Sequence, residues 1–315
     1  MRRPGMEETM GKRLLDATAS ELSGWTKREL LESIAGCEGR VLAGECIGVT
    51  PPLLTDVTNA EAVAAMGADI LLLNLFDVED PVICGLPPVP KGETVREIKR
   101  LTGRIVGINL EPAGEMADRQ EEVWKMSGGR AATAANARKA AEMGVDLVLL
   151  TGNPGNGVEN GAIVRALREI REAAGDRLIL AAGKMHASGI LSEGAEKILT
   201  EEDIRLFREA GADIILMPAP GTVPGMTLER VRELVEYSHG LGALTITAIG
   251  TSQEGSDEAT IRQIALMCKM AGTDIHHIGD SGYVGMALPE NIMAYSVAIR
   301  GVRHTYRQMA KSVNR

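Results

Sequence analysis

Apolar residues fall into short unbroken runs, separated by stretches in which apolar and polar positions alternate with helical spacing. Eight runs read as strands: Val41–Cys46, Ile70–Asn74, Ile105–Glu111, Leu147–Thr151, Leu178–Lys184, Ile214–Pro218, Ala243–Ile249 and Ile275–Gly279. Runs that are apolar at successive positions belong to strands buried on both faces, the condition of a parallel sheet covered by helices. Helical patterns lie between and after them at Asn59–Met66, Thr94–Leu101, Ala131–Met143, Ile163–Ala174, Glu201–Ala210, Leu228–His239, Asp257–Ala271 and Pro289–Met309. Four of these helices enter the next strand through a similar turn: Met66-Gly67-Ala68-Asp69, Met143-Gly144-Val145-Asp146, Ala210-Gly211-Ala212-Asp213 and Ala271-Gly272-Thr273-Asp274. Glycine suits the left-handed position that ends a helix. The aspartate opens the strand, where its side chain is expected to stay solvated.

Strand starts recur about every 30 to 40 residues, the size of a βα unit. Eight strands alternating with eight helices predict a closed (β/α)8 TIM barrel of class α/β. The rival, an open doubly wound sheet, seldom sustains so many even units. No G-x-G-x-x-G follows the first strand, so no nucleotide-cofactor motif is present. An amphipathic segment at Ala17–Ala35, within an N-terminal helical extension spanning 1–40, should cap the barrel bottom or pack on a partner. No Pro/Ser-rich linker or composition break divides residues 1–315, so one domain is expected.

Composition sharpens this picture. Aromatics are 3% of the chain and glycines number 36, which implies a tightly packed aliphatic core. The 43 acidic and 34 basic residues give a net charge of −9. That balance lacks the positive field nucleic-acid binding requires. No apolar run is long enough to span a membrane. The N-terminal MRRPGMEETMGKRLL has no continuous apolar stretch, so no secretory signal is expected. Cys37, Cys46, Cys84 and Cys268 form no C-x-x-C pair. Free thiols in a reducing cytoplasm are the expectation.

Active sites of such barrels lie at the C-terminal ends of the strands, so polar residues interrupting an apolar strand end are the candidates. The fifth strand ends Gly183-Lys184-Met185-His186. Lys184 and His186 share strand parity, about 7 Å apart. A lysine there can form a Schiff base or polarise a carbonyl, and a histidine can move a proton. On the third strand Asn109 and Glu111 share a face opposite Val106, Ile108 and Leu110. Glu111 is a candidate base or metal ligand, and Asn109 can orient a substrate oxygen. Glu45 ends the first strand, either as a second site carboxylate or as a partner for Lys184. Asn74 ends the second, before an acidic loop of Asp77, Glu79 and Asp80. Asn153 lies in the Gly-Asn-Pro-Gly-Asn-Gly stretch after the fourth strand. Gly250, Thr251, Ser281 and Gly282, after the seventh and eighth, have the small residues a backbone phosphate cradle needs, though neither loop holds a Lys or Arg. Of the adjacent His276 and His277, His276 shares parity with Asp280 and is taken as the inward, substrate-facing one.

Gly67-Ala68-Asp69-Ile70 through Asn74-Leu75-Phe76-Asp77, together with Lys184 and His186, resembles the BtpA-type TIM barrels, whose biochemical role is not established. Those carry a GAD…EN..D second strand and a Lys-His fifth-strand end. Here Leu73 stands in place of the Glu, and Met185 separates Lys184 from His186. Taken whole, the chain resembles an uncharacterised bacterial TIM-barrel family whose members are labelled haloacid-dehalogenase-like or phosphonomutase-like. No D-x-D-x-T/V motif supports the first label. Glu79-Asp80-Pro81-Val82-Ile83-Cys84-Gly85 resembles the ED…P…CGH element of the phosphonomutase and isocitrate-lyase group, but lacks its His and its aspartate cluster. The resemblance implies a barrel and carries no residue roles.

The functional expectation is a cytoplasmic barrel enzyme acting on a small phosphorylated or carboxylated metabolite. It would be a lyase (aldolase) or isomerase working through an enolate-like intermediate. Lys184 would hold or polarise the carbonyl, and Glu111 or His186 would move the proton. Asn74, Asn109 and Asp280 would orient the substrate, with Mg²⁺ on Glu45 or Glu111. Two other classes stay open: a non-catalytic metabolite-binding barrel serving a protein partner, and a metal-dependent hydrolase. A homo-oligomer is expected; for the barrel that serves a protein partner, Ala17–Ala35 and the C-terminal helix would form the assembly surface.

Overall fold

Eight parallel strands close on themselves in chain order. They are β1 Val41–Ile47, β2 Ile70–Asn74, β3 Ile105–Leu110, β4 Leu147–Leu150, β5 Ile179–Gly183, β6 Ile214–Pro218, β7 Leu244–Ile249 and β8 Ile275–Ile278. A computed structural model describes residues 11–112, 127–152, 160–186, 195–281 and 284–315. Two short helices precede the barrel, α1 Ala19–Leu22 and α2 Lys27–Ala35. Eight more form its wall: α3 Asn59–Ala65, α4 Thr94–Thr102, α5 Ala134–Met143, α6 Asn160–Ala174, α7 Glu201–Glu209, α8 Leu228–Gly240, α9 Glu258–Ala271 and α10 Pro289–Ala310. No helix among the described residues is long and apolar enough to cross a membrane.

Alternation along each strand divides the core in two. Leu42, Leu71, Val106, Val148, Leu180, Ile215 and Ile249 meet the helices. Ala43, Leu72, Ile105, Leu149, Ala181, Leu216 and Ala248 fill the barrel. Leu14, Leu15, Leu30, Ile34 and Cys37 join that inner cluster from below. The N-terminal segment therefore closes the bottom of the barrel, because its apolar stripe covers the otherwise wet ends of the inner side chains.

The four aspartates of the repeated turns are engaged by the protein rather than left to solvent as expected. Each turns back onto the preceding strand and accepts its second-residue N–H. Asp69 takes Leu42 N at 2.8 Å, Asp146 takes Val106 N at 2.9 Å, Asp213 takes Leu180 N at 2.9 Å and Asp274 takes Thr245 N at 2.8 Å. Each also meets a basic group: Arg300 at 2.5 Å, Lys99 at 2.8 Å, Lys27 at 2.7 Å and His239 at 2.8 Å, respectively. The barrel is thus built as four βαβα quarters, each locked at the bottom by one carboxylate. Asp69 is the most enclosed, at 1% exposure, and its Arg300 is buried too. Asp69→Ala should lower stability by about 3–5 kcal/mol, since it strands a buried guanidinium. Urea unfolding checks this; a loss under 1 kcal/mol would show that the clamp is dispensable.

Local sequence sets the wall helices. Thr58, Thr133, Thr200, Thr227 and Asp257 cap the N-termini of α3, α5, α7, α8 and α9 with side-chain oxygens, meeting otherwise orphaned N–H groups. Gly144 and Gly272 end α5 and α9 at φ +93° and +89°.

Candidate functional site

The upper end of the barrel carries a hydrogen-bonded polar floor. Glu45, Asn74 and Asn109 occupy inward positions on β1, β2 and β3, and Asp280 follows β8. Asn74 Nδ2 donates to Asp280 Oδ2 at 2.8 Å. Asn109 Nδ2 donates to Glu45 Oε1 at 2.6 Å and to Asn74 Oδ1 at 3.1 Å. These contacts fix both amide orientations, because flipping either would set oxygen against oxygen. His277 Nε2 lies 3.3 Å from Glu45 Oε2, although neither ring nitrogen is aligned for a hydrogen bond. Asp280 is pushed up to about 7, first by burial and then by the charges of Glu45 and Glu254. The Asn74 N–H and His277 pull the other way.

The histidine pair faces opposite to the expectation from parity with Asp280. His277 pairs in register with Ala43 and Ala248, both inner residues, so it points into the barrel. His276 points to the helices, where Nδ1 meets Tyr295 OH at 3.2 Å and Nε2 meets Gly39 O at 3.0 Å. Burial drives its pKa down to about 3. It is a neutral packing residue and leaves the set of substrate contacts. Parity with Asp280 failed as a guide because the strand stops at Ile278, two residues short of it.

β3 and β5 stop one residue earlier than their apolar runs suggested. Glu111 lies just past β3, where its N–H bonds Arg130 O at 2.9 Å and its carboxylate pairs with the Arg130 guanidinium. A candidate base is thereby tied to a cation that sequence reasoning missed, nineteen residues downstream. β5 ends at Gly183, where an added Cβ would sit 2.0 Å from Leu216 O. Lys184 follows immediately and is 3% exposed. Met185 packs on the inner apolar cluster, so Lys184 and His186 do not continue a regular strand face. His186 is half-buried; burial holds its pKa below the ordinary value against the pull of the Glu45 carboxylate. Glu45 therefore acts on His186 through its charge and lies beside His277. Cys46, on the outer face of β1, is packing, with its thiol pushed up by burial.

The loops after β7 and β8 meet through a residue outside the expected set. Glu254, fully buried in the turn Gln253–Gly255, accepts Ser281 N–H on Oε1 at 3.0 Å. Its only sequence signal is a carboxylate set among small residues at a strand end. Thr251 donates its hydroxyl to Thr222 O at 3.0 Å, and an added Cβ at Gly250 would meet Met185 Sδ at 2.8 Å. Two of the donors expected to hold a phosphate, Ser281 N–H and the Thr251 hydroxyl, are engaged within the protein. Gly282 and Asn153 lie outside the described residues.

Residues 15–315 match the family model described as a domain of unknown function, DUF7916. The chain belongs to this family. No curated protein matches it significantly. Solved structures share its fold at low identity. An archaeal fructose-1,6-bisphosphate aldolase, with its catalytic Lys covalently bound to the carbinolamine intermediate, superposes with a TM-score of 0.55. It is 14% identical, over 84% of this chain and 96% of that one. A 2,3-dimethylmalate lyase of the PEP mutase/isocitrate lyase superfamily gives 0.50 at 14% identity, over 83% and 80%. A thiamine phosphate pyrophosphorylase from Pyrococcus furiosus gives 0.44 at 15%, over 83% and 96%. These likenesses concern the barrel alone; none of the three is a BtpA-type protein.

The two carboxylates expected to hold Mg²⁺, Glu45 and Glu111, each meet other side chains of the protein. Glu45 meets Asn109 on one oxygen and His277 on the other, while Glu111 pairs with Arg130. A hard cation needs several convergent oxygens. Among the described residues no three His, Cys, Asp or Glu side chains converge as a metal site. The acidic loop turns on itself: Asp77 Oδ1 accepts Glu79 N at 2.7 Å and Asp80 N at 3.0 Å, and Asp80 pairs with Lys91.

Proposed function

We propose that this DUF7916 barrel is a lyase of the aldolase type, acting on a small carboxylated carbonyl compound through a lysine-bound intermediate. One observation carries the reading: a buried carboxyl group, Asp280, is held by a fixed amide chain at the barrel end where buried Lys184 also sits, and burial pushes its pKa up to about 7. A group with its pKa near the working pH exchanges protons in both directions, which general acid–base catalysis needs. The archaeal aldolase of the same fold supports the lysine role, since that protein is described with its catalytic Lys bound to the substrate.

In the proposed cycle His186, kept neutral by burial, takes a proton from Lys184. The Lys184 amine adds to the substrate carbonyl carbon, and the oxygen leaves as water to give an iminium. Asp280 removes the proton of the β-hydroxyl, the Cα–Cβ bond breaks, and its electron pair moves into the iminium to form an enamine. The departing fragment leaves as an aldehyde or ketone. Asp280 returns its proton to the enamine carbon, and water releases the second product and frees Lys184. Asn74 and Asn109 hold the carboxylates in place. Arg130, braced by Glu111, supplies positive charge for a substrate carboxylate. A carboxylated substrate is favoured over a phosphorylated one because Ser281 N–H and the Thr251 hydroxyl are engaged.

Borohydride reduction in the presence of pyruvate, oxaloacetate or dihydroxyacetone phosphate tests the reading. Irreversible adduct formation mapped by mass spectrometry to Lys184 is expected with at least one of them. Adducts spread over surface lysines, or none, would overturn the covalent route.

A self-associating barrel is the second proposal. Leu266 and Met270 on α9, and Val302 and Tyr306 on α10, are exposed apolar pairs at i,i+4 spacing, and single helical stripes of this kind suit helix–helix contact between copies.

A further inference from the structure

Hydrogen-bonding capacity on the barrel floor is unevenly satisfied. Its amide donors are engaged, while the His277 ring nitrogens are not: Asn74 Nδ2 bonds Asp280, Asn109 Nδ2 bonds Glu45 and Asn74, and Ser281 N–H bonds Glu254. Two of its acceptors are not. Asn109 Oδ1 and Glu254 Oε2 are both buried and have no hydrogen-bond partner among the described residues. A buried acceptor without a donor loses its hydration with no return, and native interiors hold few of them. Turning the Asn109 amide would break two hydrogen bonds, and a carboxylate oxygen brings no hydrogen of its own.

From these two open acceptors we infer that the part of the substrate seated on this floor carries hydroxyl groups, and that Glu254 selects them over phosphate. This rests on the proposed function and deepens it, since the bond-breaking step needs a β-hydroxyl beside Asp280. A hydroxyl donates one hydrogen bond to an open acceptor and brings no charge. A phosphate offers only acceptor oxygens and adds negative charge beside Glu45, Glu254 and Asp280. The usual amide donors of a phosphate cradle are reversed in role here, because Glu254 occupies Ser281 N–H.

Binding alone tests this, with the full chain and no turnover. Saturation-transfer NMR titrations would use threitol as the hydroxyl probe, glycerol 3-phosphate as the phosphate probe and 2-amino-1,3-propanediol as the cationic one. Threitol should bind the wild type more tightly than glycerol 3-phosphate. Glu254→Gln keeps an oxygen for Ser281 N–H and turns the open acceptor into a donor. It should weaken threitol about tenfold and strengthen glycerol 3-phosphate. Asn109→Ala, which removes the other open acceptor, should weaken threitol likewise and serves if Glu254→Gln fails to fold. Tighter binding of glycerol 3-phosphate by the wild type overturns the inference. So do exclusive binding of the amine, an absent threitol signal, or threitol affinity unchanged in the folded variants. Threitol binding without any Lys184 adduct would leave this inference standing and remove the lyase reading. Adducts at Lys184 with threitol excluded would do the reverse.

Discussion

Asp280→Asn is expected to stabilise the protein above pH 8 while stopping turnover. The Asp280 carboxyl has an ordinary value of 3.8 and sits at about 7 in the folded barrel. Burial is the main cause, and the Glu45 charge adds to it. The folded state therefore holds this proton more tightly than the unfolded chain does. That contribution is complete below about pH 4 and is lost as the pH rises through about 7. At pH 8 the wild type carries a buried anion beside Glu45, whereas the amide carries none and still accepts the Asn74 N–H. A gain of roughly 2–4 kcal/mol follows from a shift of this size. Turnover should fall by about 10²–10⁴-fold, the usual worth of a positioned proton-transfer group. Chemical denaturation at pH 5 and pH 8 checks the first half: the difference between variant and wild type should shrink at the lower pH. Equal stability at both would mean that Asp280 is ionised throughout, and the acid–base role would go with it.

Lys184→Ala should lower kcat by about 10⁴-fold, or roughly 5.5 kcal/mol of barrier, with little change in the circular dichroism spectrum. The reason is chemical, because the iminium of the proposed cycle forms on this amine. Lys184→Arg sharpens the result. Arginine keeps the positive charge but cannot lose a proton to act as a nucleophile. If Lys184 works covalently, the Arg variant is as inactive as the Ala variant and borohydride fixes no substrate. If Lys184 only polarises a carbonyl, the Arg variant retains activity within about tenfold and the covalent step is wrong. Gly183 is what brings the lysine to this place. It ends β5 at a point where any side chain would run into Leu216 O.

How far the sequence reached can be seen residue by residue. The eight apolar runs mark eight strands, because a strand covered on both faces leaves no polar position until it emerges. Polar residues at the ends of apolar strands singled out Glu45, Asn74 and Asn109, with alternation turning Asn109 inward, and their hydrogen bonds to one another and to Asp280 are the core of the floor. The repeated Gly-x-Asp turns were legible as repeats, but the work of the aspartates was not. Asp69 reaches Arg300 across 231 positions of sequence, and nothing local predicts a partner that distant. Glu254 and Arg130 escaped notice for the same reason, since a carboxylate or guanidinium in a loop looks solvated until the fold closes over it. His276 and His277 show the limit most plainly. Both have an apolar neighbour, Ile275 facing in and Ile278 facing out, so the local pattern is symmetrical. The choice between them is made by pairing β8 with β1, which sets His277 against Ala43. Periodicity is a property of neighbours along the chain and fixes the elements and their faces. Register, burial and charge partnership belong to strands far apart in sequence, and only barrel closure decides them.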